Sequence, residues 1–198
     1  MHRSGYLTGK GGPHMAVYVI AEAGSTHEGS EHNATLLVNA AMDAGADAIK
    51  FQYWSSPERM RLRRHAHGDT SYDIGSIDPV WLPSLRACVH TARMEFMCTA
   101  YCREDIAVIA PYVDKFKVSS FEAQDTAFVR AHARYHKDMV ISTGLSRPDT
   151  FFHGAMAEKW RSFLSDLAPA RVHWLHCVSA YPTPLREANI ACVAPLGG

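Results

Sequence analysis

The sequence predicts an α/β fold of the (β/α)8 TIM-type barrel class, incomplete, with about six of the eight βα units of a full barrel. Three observations predict it. Short β-type runs alternate with helix-like segments along the chain. The runs are nearly continuous in apolar residues, as strands covered on both faces are. Polar residues gather at the C-terminal ends of the runs, where a barrel builds its site.

The runs are VYVIAE (17–22), DAIKFQ (47–52), MEFMCTA (94–100), DKFKVSS (114–120), DMVISTG (138–144) and VHWLHCVS (172–179). Between the first two, residues 31–44 place Leu36, Leu37, Ala40, Ala41 and Ala44 on one helical stripe. Ser30 is its expected N-cap and Gly45 its stop. Residues 79–93, 103–111 and 122–136 carry similar mixed faces, with Pro79 and Pro148 placed where helices begin, and 149–168 is helical in composition. Such alternation requires crossovers, hence parallel strands. An open doubly wound sheet would call for a GxGxxG turn after the first strand, and none is present. The polar strand ends favour the barrel. Glu22, Lys50, Gln52, Thr99, Lys117, Ser119, Ser120, Ser142, Thr143 and Ser179 would converge on one mouth of a barrel but string out along the edge of an open sheet. A full barrel takes about 250 residues, against 198 here.

That length suits one domain. Residues 1–14, with four glycines and a proline, read as a flexible N-terminal extension, and 15–198 as a partial barrel domain. Acidic and basic residues balance at 20 each, so no electrostatic case for nucleic acid or an anionic membrane arises. No apolar run approaches the roughly 18 residues of a membrane span. Five cysteines, an odd number without framework spacing, point to a reducing cytoplasmic compartment. Cys98 and Cys102 are expected to be ordinary thiols.

Lysine at a barrel rim can hold an anion, form a Schiff base or face solvent. Two of them, Lys50 and Lys117, with hydroxyls at Thr99, Ser120 and Ser142, shift the balance toward a small polyanion site. Glu22 and Glu122 could orient sugar hydroxyls or move protons. The basic run RMRLRRHAHGDTSYD, in the loop 53–78, is expected to be a solvated face overhanging the mouth. His65 and His67 within it, and His173 with His176, three apart on one run, are not expected to bind metal. His27 is expected to have a structural role near the mouth.

AEAGSTHEGS, AGADAIKFQ, FMCTA, KFKVSSFE, VISTGLS and LHCVSAYPTP follow one another in an order that resembles the N-acetylneuraminate synthase family over residues 17–190. The resemblance implies condensation of phosphoenolpyruvate with an N-acetylated amino sugar aldehyde, such as N-acetylmannosamine, to give a nonulosonic acid and phosphate. It implies phosphoenolpyruvate contacts at Lys50, Thr99, Lys117, Ser120, Ser142 and Ser179. It places Glu22, Gln52, Glu122 and Tyr181 toward the sugar, with Glu22 and Glu122 as the catalytic carboxylates and Glu122 a candidate for proton transfer. A divalent metal, Mn2+ or Mg2+, and a homodimer are further implications. Thr26 stands where the family usually has asparagine, and Cys98-Thr99-Ala100 where it has Ser-Thr-Pro. The family's metal-binding histidines and a small capping domain fall beyond Gly198, so the expectation is half a site. A Schiff-base aldolase on the same fold and a non-catalytic partial barrel that binds a partner are the rival expectations.

Overall fold

The computed structural model describes residues 17–65, 68–145, 171–180, 182–191 and 193. Six parallel strands form one sheet in chain order: β1 (Ile20–Gly24), β2 (Ala48–Tyr53), β3 (Glu95–Ala100), β4 (Lys115–Val118), β5 (Met139–Ser142) and β6 (Val172–Leu175). The described helices are α1 (Glu31–Asp43), α2 (Pro57–Arg63), α3 (Ser71–Ile74), α4 (Leu82–Thr91), α5 (Arg103–Ile109) and α6 (Thr126–Ala133). Strand order equal to chain order is what successive crossovers of one hand produce, and the sheet curls as part of a barrel wall. The predicted extension 1–14 and the predicted helix 149–168, with Pro148, lie outside the described residues.

Local signals start and stop these elements. Ser30 caps α1, its hydroxyl accepting from the Asn33 N–H at 3.3 Å. Gly45 ends the turn at a φ of +76°, a left-handed conformation that costs glycine little. Asp125 caps α6, accepting from the N–H groups of Ala127 and Phe128 at 2.9 and 3.1 Å. The buried stripe of α1 differs from the expected one. Ala34, Val38 and Ala41 face the sheet, Leu37 packs at the edge of the core, and Leu36 is half exposed. Small side chains let the helix approach the strands closely, so size, not hydrophobicity alone, chose the face.

The strands divide their side chains between two layers. Ile49, Phe51, Phe96, Cys98, Phe116, Val118, Met139 and Ile141 point outward into the core under the helices. On the inner face Ala48, Met97 and Val140 pack with Ile20 and Leu175 as a small apolar floor. The parallel register Glu22–Lys50, Gln52–Thr99 and Thr99–Lys117 sets a polar ring above it. The runs that read as uniformly apolar therefore alternate, with every second residue assigned to chemistry or to the floor.

Candidate active site

Lys50 sits in the inner layer of β2, only 6% exposed. Its ammonium pairs with Glu22 of β1 at 2.8 Å and donates to Thr99 Oγ1 of β3 at 3.4 Å. Lys117 of β4 donates to Ser142 Oγ of β5 at 2.6 Å and to the Val118 carbonyl at 2.8 Å. Burial, reinforced by the charge of Lys50, pushes Lys117 down from 10.5 to about 8. Two ammonium groups thus share one low-dielectric bowl, in which a bound anion would relieve their mutual repulsion.

The wall on the β4 and β6 side is built from loops. Ser120 Oγ accepts from the Gly144 N–H at 3.0 Å, and Ser179 Oγ donates to the Gly144 carbonyl at 2.8 Å. A Cβ on Gly144 would come within 2.8 Å of Ser179 Oγ and 3.1 Å of Ser120 Oγ, so a larger residue there would push both hydroxyls from their present places. Ser179 was expected at a strand end, but β6 stops at Leu175, leaving Ser179 on an exposed loop. The backbone carries that loop in because Thr143 donates through both its N–H and its hydroxyl to the Leu175 carbonyl.

Gln52 lies on the other side, its Oε1 accepting from the Tyr101 hydroxyl at 2.9 Å. Glu122 is 1% exposed. It takes both its oxygens to Arg64 Nη2, at 3.1 and 3.0 Å, lies 3.3 Å from Arg63 Nη2, and accepts from Ser119. The guanidinium of Arg64 lies 4.5 Å over the Phe121 ring and 5.6 Å over that of Tyr101. This corrects the expectation for the basic run. Arg63 and Arg64 are not a solvated face but a strap from the end of α2 to the residues after β4, and Arg61 is paired with Asp73 at 2.8 Å. Burying Glu122 required cations, and the loop supplies them.

Lys50, Gln52, Thr99, Lys117, Ser120, Ser142, Glu22 and Glu122 therefore meet at the mouth, while Tyr181 lies outside the described residues. Tyr101, Arg63, Arg64 and Gly144 were not anticipated. The paired arginines of the basic run were the available signal for two of them. His27 is wholly buried, its Nδ1 accepting from the Gly29 N–H at 3.1 Å. Cys98 and Cys102 are buried free thiols, and burial raises Cys98 to about 12, which keeps it inert. Among the described residues no three His, Cys, Asp or Glu side chains cluster to hold a metal, and no helix is long and apolar enough to cross a membrane.

Two lysines, hydroxyls and carboxylates thus line one rim of a parallel half-barrel. The NeuB family model matches residues 37–197, and the chain belongs to that family. Pseudaminic acid synthase of Campylobacter jejuni is 26% identical, the match covering 91% of this chain and 54% of that protein. The spore coat polysaccharide biosynthesis protein SpsE of Bacillus subtilis is 28% identical, over 93% of this chain and 51% of its own. The chain thus spans about half the length of the curated relatives it matches. Among solved structures, the N-acetylneuraminic acid synthetase of Leptospira borgpetersenii superposes with a TM-score of 0.76 at 23% identity, covering 91% of this chain and 60% of that one.

Proposed function

We propose that these residues form the phosphoenolpyruvate half of a nonulosonate synthase site on an eight-stranded barrel, of which the described residues supply six strands. The observation that carries the reading is the pair of inward lysines, each hydrogen-bonded to a neighbouring strand's hydroxyl, Lys50 to Thr99 and Lys117 to Ser142. Phosphoenolpyruvate presents a phosphate and a carboxylate. Two ammonium groups would neutralise them, and Thr99, Ser120 and Ser142 would donate to the remaining oxygens, with Ser179 able to join them by turning its hydroxyl from the Gly144 carbonyl.

The reaction then joins C3 of phosphoenolpyruvate to the aldehyde carbon of an open-chain N-acetylated amino sugar. The aldehyde oxygen takes a proton, water adds at C2, and the C–O bond to phosphate breaks. Glu22 and Gln52 lie where they would orient the sugar's hydroxyls. Glu122, in contact with two guanidinium groups and with Ser119, is arranged to accept or relay a proton. A divalent metal, Mn2+ or Mg2+, when bound, would polarise the aldehyde. The described residues supply no donor set for it. The free thiols at Cys88, Cys98, Cys102 and Cys177 accord with a reducing, cytoplasmic setting.

One observation favours a second reading. A lysine lowered to about 8 is partly neutral at mildly alkaline pH, as a Schiff-base nucleophile must be. Calorimetric titration of the whole chain with phosphoenolpyruvate separates the two. Saturable binding that drops at least tenfold in Lys50→Met and Lys117→Met, with no borohydride-trapped adduct from pyruvate, supports the synthase half-site. A trapped adduct at Lys117 would establish the aldolase, and absence of phosphoenolpyruvate binding would end the first reading.

A further inference from the structure

Of the hydroxyls proposed to meet the anion, Thr99 and Ser142 are strand residues, placed by β3 and β5 themselves. Ser120 has no such support, because β4 ends at Val118. It stands between Ser119 and Phe121, and both neighbours are held from the α2 side. The Ser119 hydroxyl donates to Glu122, whose two oxygens accept from Arg64 Nη2 at 3.1 and 3.0 Å. Phe121 lies under the same guanidinium, 4.5 Å from it. The backbone closes the turn: Ala123 N–H donates to the Ser119 carbonyl at 2.9 Å, and Asp125 N–H to that of Glu122 at 3.0 Å. Without Arg64 the buried carboxylate keeps one guanidinium, Arg63 at 3.3 Å. Turning toward it would carry the Ser119–Phe121 segment along.

Arg64 is well anchored for this task. It caps the C-terminus of α2, and α2 is tied along its length to the residues after β3. Ser55 N–H donates to the buried Asp105 at 3.2 Å, Arg59 pairs with Glu104, and Arg63 donates to the Tyr101 carbonyl. Asp105 also accepts from the Cys102 N–H at 3.0 Å, which fixes it at the start of α5. Beyond Ser120 the contacts continue. Ser120 Oγ accepts from the Gly144 N–H at 3.0 Å, and the Gly144 carbonyl accepts from Ser179 Oγ at 2.8 Å. The segments that follow β2, β4, β5 and β6 are thus joined in series across the mouth, and Arg64 is the first link. Arg61, on the same helix, carries the same charge but spends it on Asp73 at 2.8 Å and Glu58 at 3.7 Å.

We infer that Arg64 is a positioning residue for the anion half of the site: it sets phosphoenolpyruvate affinity by fixing the turn that holds Ser120, not by lending its charge to the ligand. The inference rests on the proposed function. It is tested by calorimetric titration of the whole chain with phosphoenolpyruvate, with urea unfolding to report the fold of each variant. Arg64→Ala is expected to weaken binding about tenfold, the effect of losing one hydrogen bond to a charged group, and Ser120→Ala by a similar factor. Because one acts through the other, the double variant should be no weaker than either single one, to within about twofold. Arg64→Lys, whose single nitrogen can meet both Glu122 oxygens as Nη2 does, should bind within about threefold of the unaltered chain, and Arg61→Ala within about twofold. Where Arg64→Ala does not fold, Arg64→Met with Glu122→Met takes its place, removing the buried pair rather than half of it. Losses that multiply in the double variant overturn the inference, as do full affinity in Arg64→Ala, an equal loss in Arg61→Ala, or a tenfold loss in Arg64→Lys. In each of these cases the unaltered chain still binds phosphoenolpyruvate and the proposed function stands. Failure of the unaltered chain to bind it removes the proposed function, and the inference with it.

Discussion

Lys117 is the residue at which the site's chemistry and the fold's stability oppose each other, and the size of the conflict follows from its position. Burial and Lys50 lower it from 10.5 to about 8, a difference worth roughly 3 kcal/mol at 1.36 kcal/mol per pH unit. The unfolded chain binds this proton up to about pH 10.5 and the folded chain only to about 8. The unfolded state is therefore the more protonated between those values, and stability rises with pH across that window. Below about pH 8 the whole cost is present. Replacing Lys117 by methionine removes it, while losing the hydrogen bonds to Ser142 and Val118, worth about 1 kcal/mol each. The variant is expected to gain about 1 kcal/mol at pH 7 in urea unfolding while losing phosphoenolpyruvate binding. In the unaltered chain, affinity should be flat below about pH 7. It should be roughly tenfold weaker by about pH 9, where about a tenth of the lysine remains charged. Calorimetry in buffers of differing ionisation enthalpy should show net proton uptake on binding near pH 8. An affinity unchanged between about pH 7 and 9.5, or a methionine variant destabilised at pH 7, would refute the reasoning.

The other expectations concern polar groups at contrasting depths. Glu122→Gln strands two guanidinium groups around a 1%-exposed position and should cost about 3–5 kcal/mol in urea unfolding. Arg186→Ala, which breaks an exposed 3.5 Å pair with Glu187, should cost no more than about 1 kcal/mol. His132, wholly buried against Phe116 and Phe128, is pushed down by burial to about 4. The unfolded chain binds its proton below about pH 6.5, so stability falls as pH drops from 6.5 toward 4, by up to about 3 kcal/mol. Urea melts of His132→Phe should lose that part of the acid sensitivity; an unchanged pH profile would show that His132 does not supply it.

Much of this was legible in the chain before the fold was known. The strand-end residues Lys50, Thr99, Lys117 and Ser142 were, because a parallel strand delivers its last inward residue to one rim and the pattern of apolar run followed by polar residue marks the place. Ser30 and Gly45 were, because caps are local. The Arg63–Arg64 strap was not. A basic run looks the same whether it faces water or a buried carboxylate, and Glu122 lies 58 residues further on. The face of α1 was misjudged for a related reason. Leu36 is more hydrophobic than Ala34, yet close approach to the sheet favours the smaller side chain. Ser179 reached the mouth through hydrogen bonds of Thr143 and Gly144, backbone connections that leave no mark on composition.

The two-layer division of the strands has a consequence for how the chain finds its pairing. A slip of one residue in β2 or β4 would turn Lys50 or Lys117 into the layer of phenylalanines under the helices and push Phe51 or Phe116 into the polar bowl. An ammonium group without a partner in that layer is far more costly than a misplaced methylene. The lysines proposed to hold the ligand thus act also as registration keys. A protein that replaced both with apolar residues would lose its ligand and, with it, part of the penalty that makes every wrong alignment of its strands unfavourable.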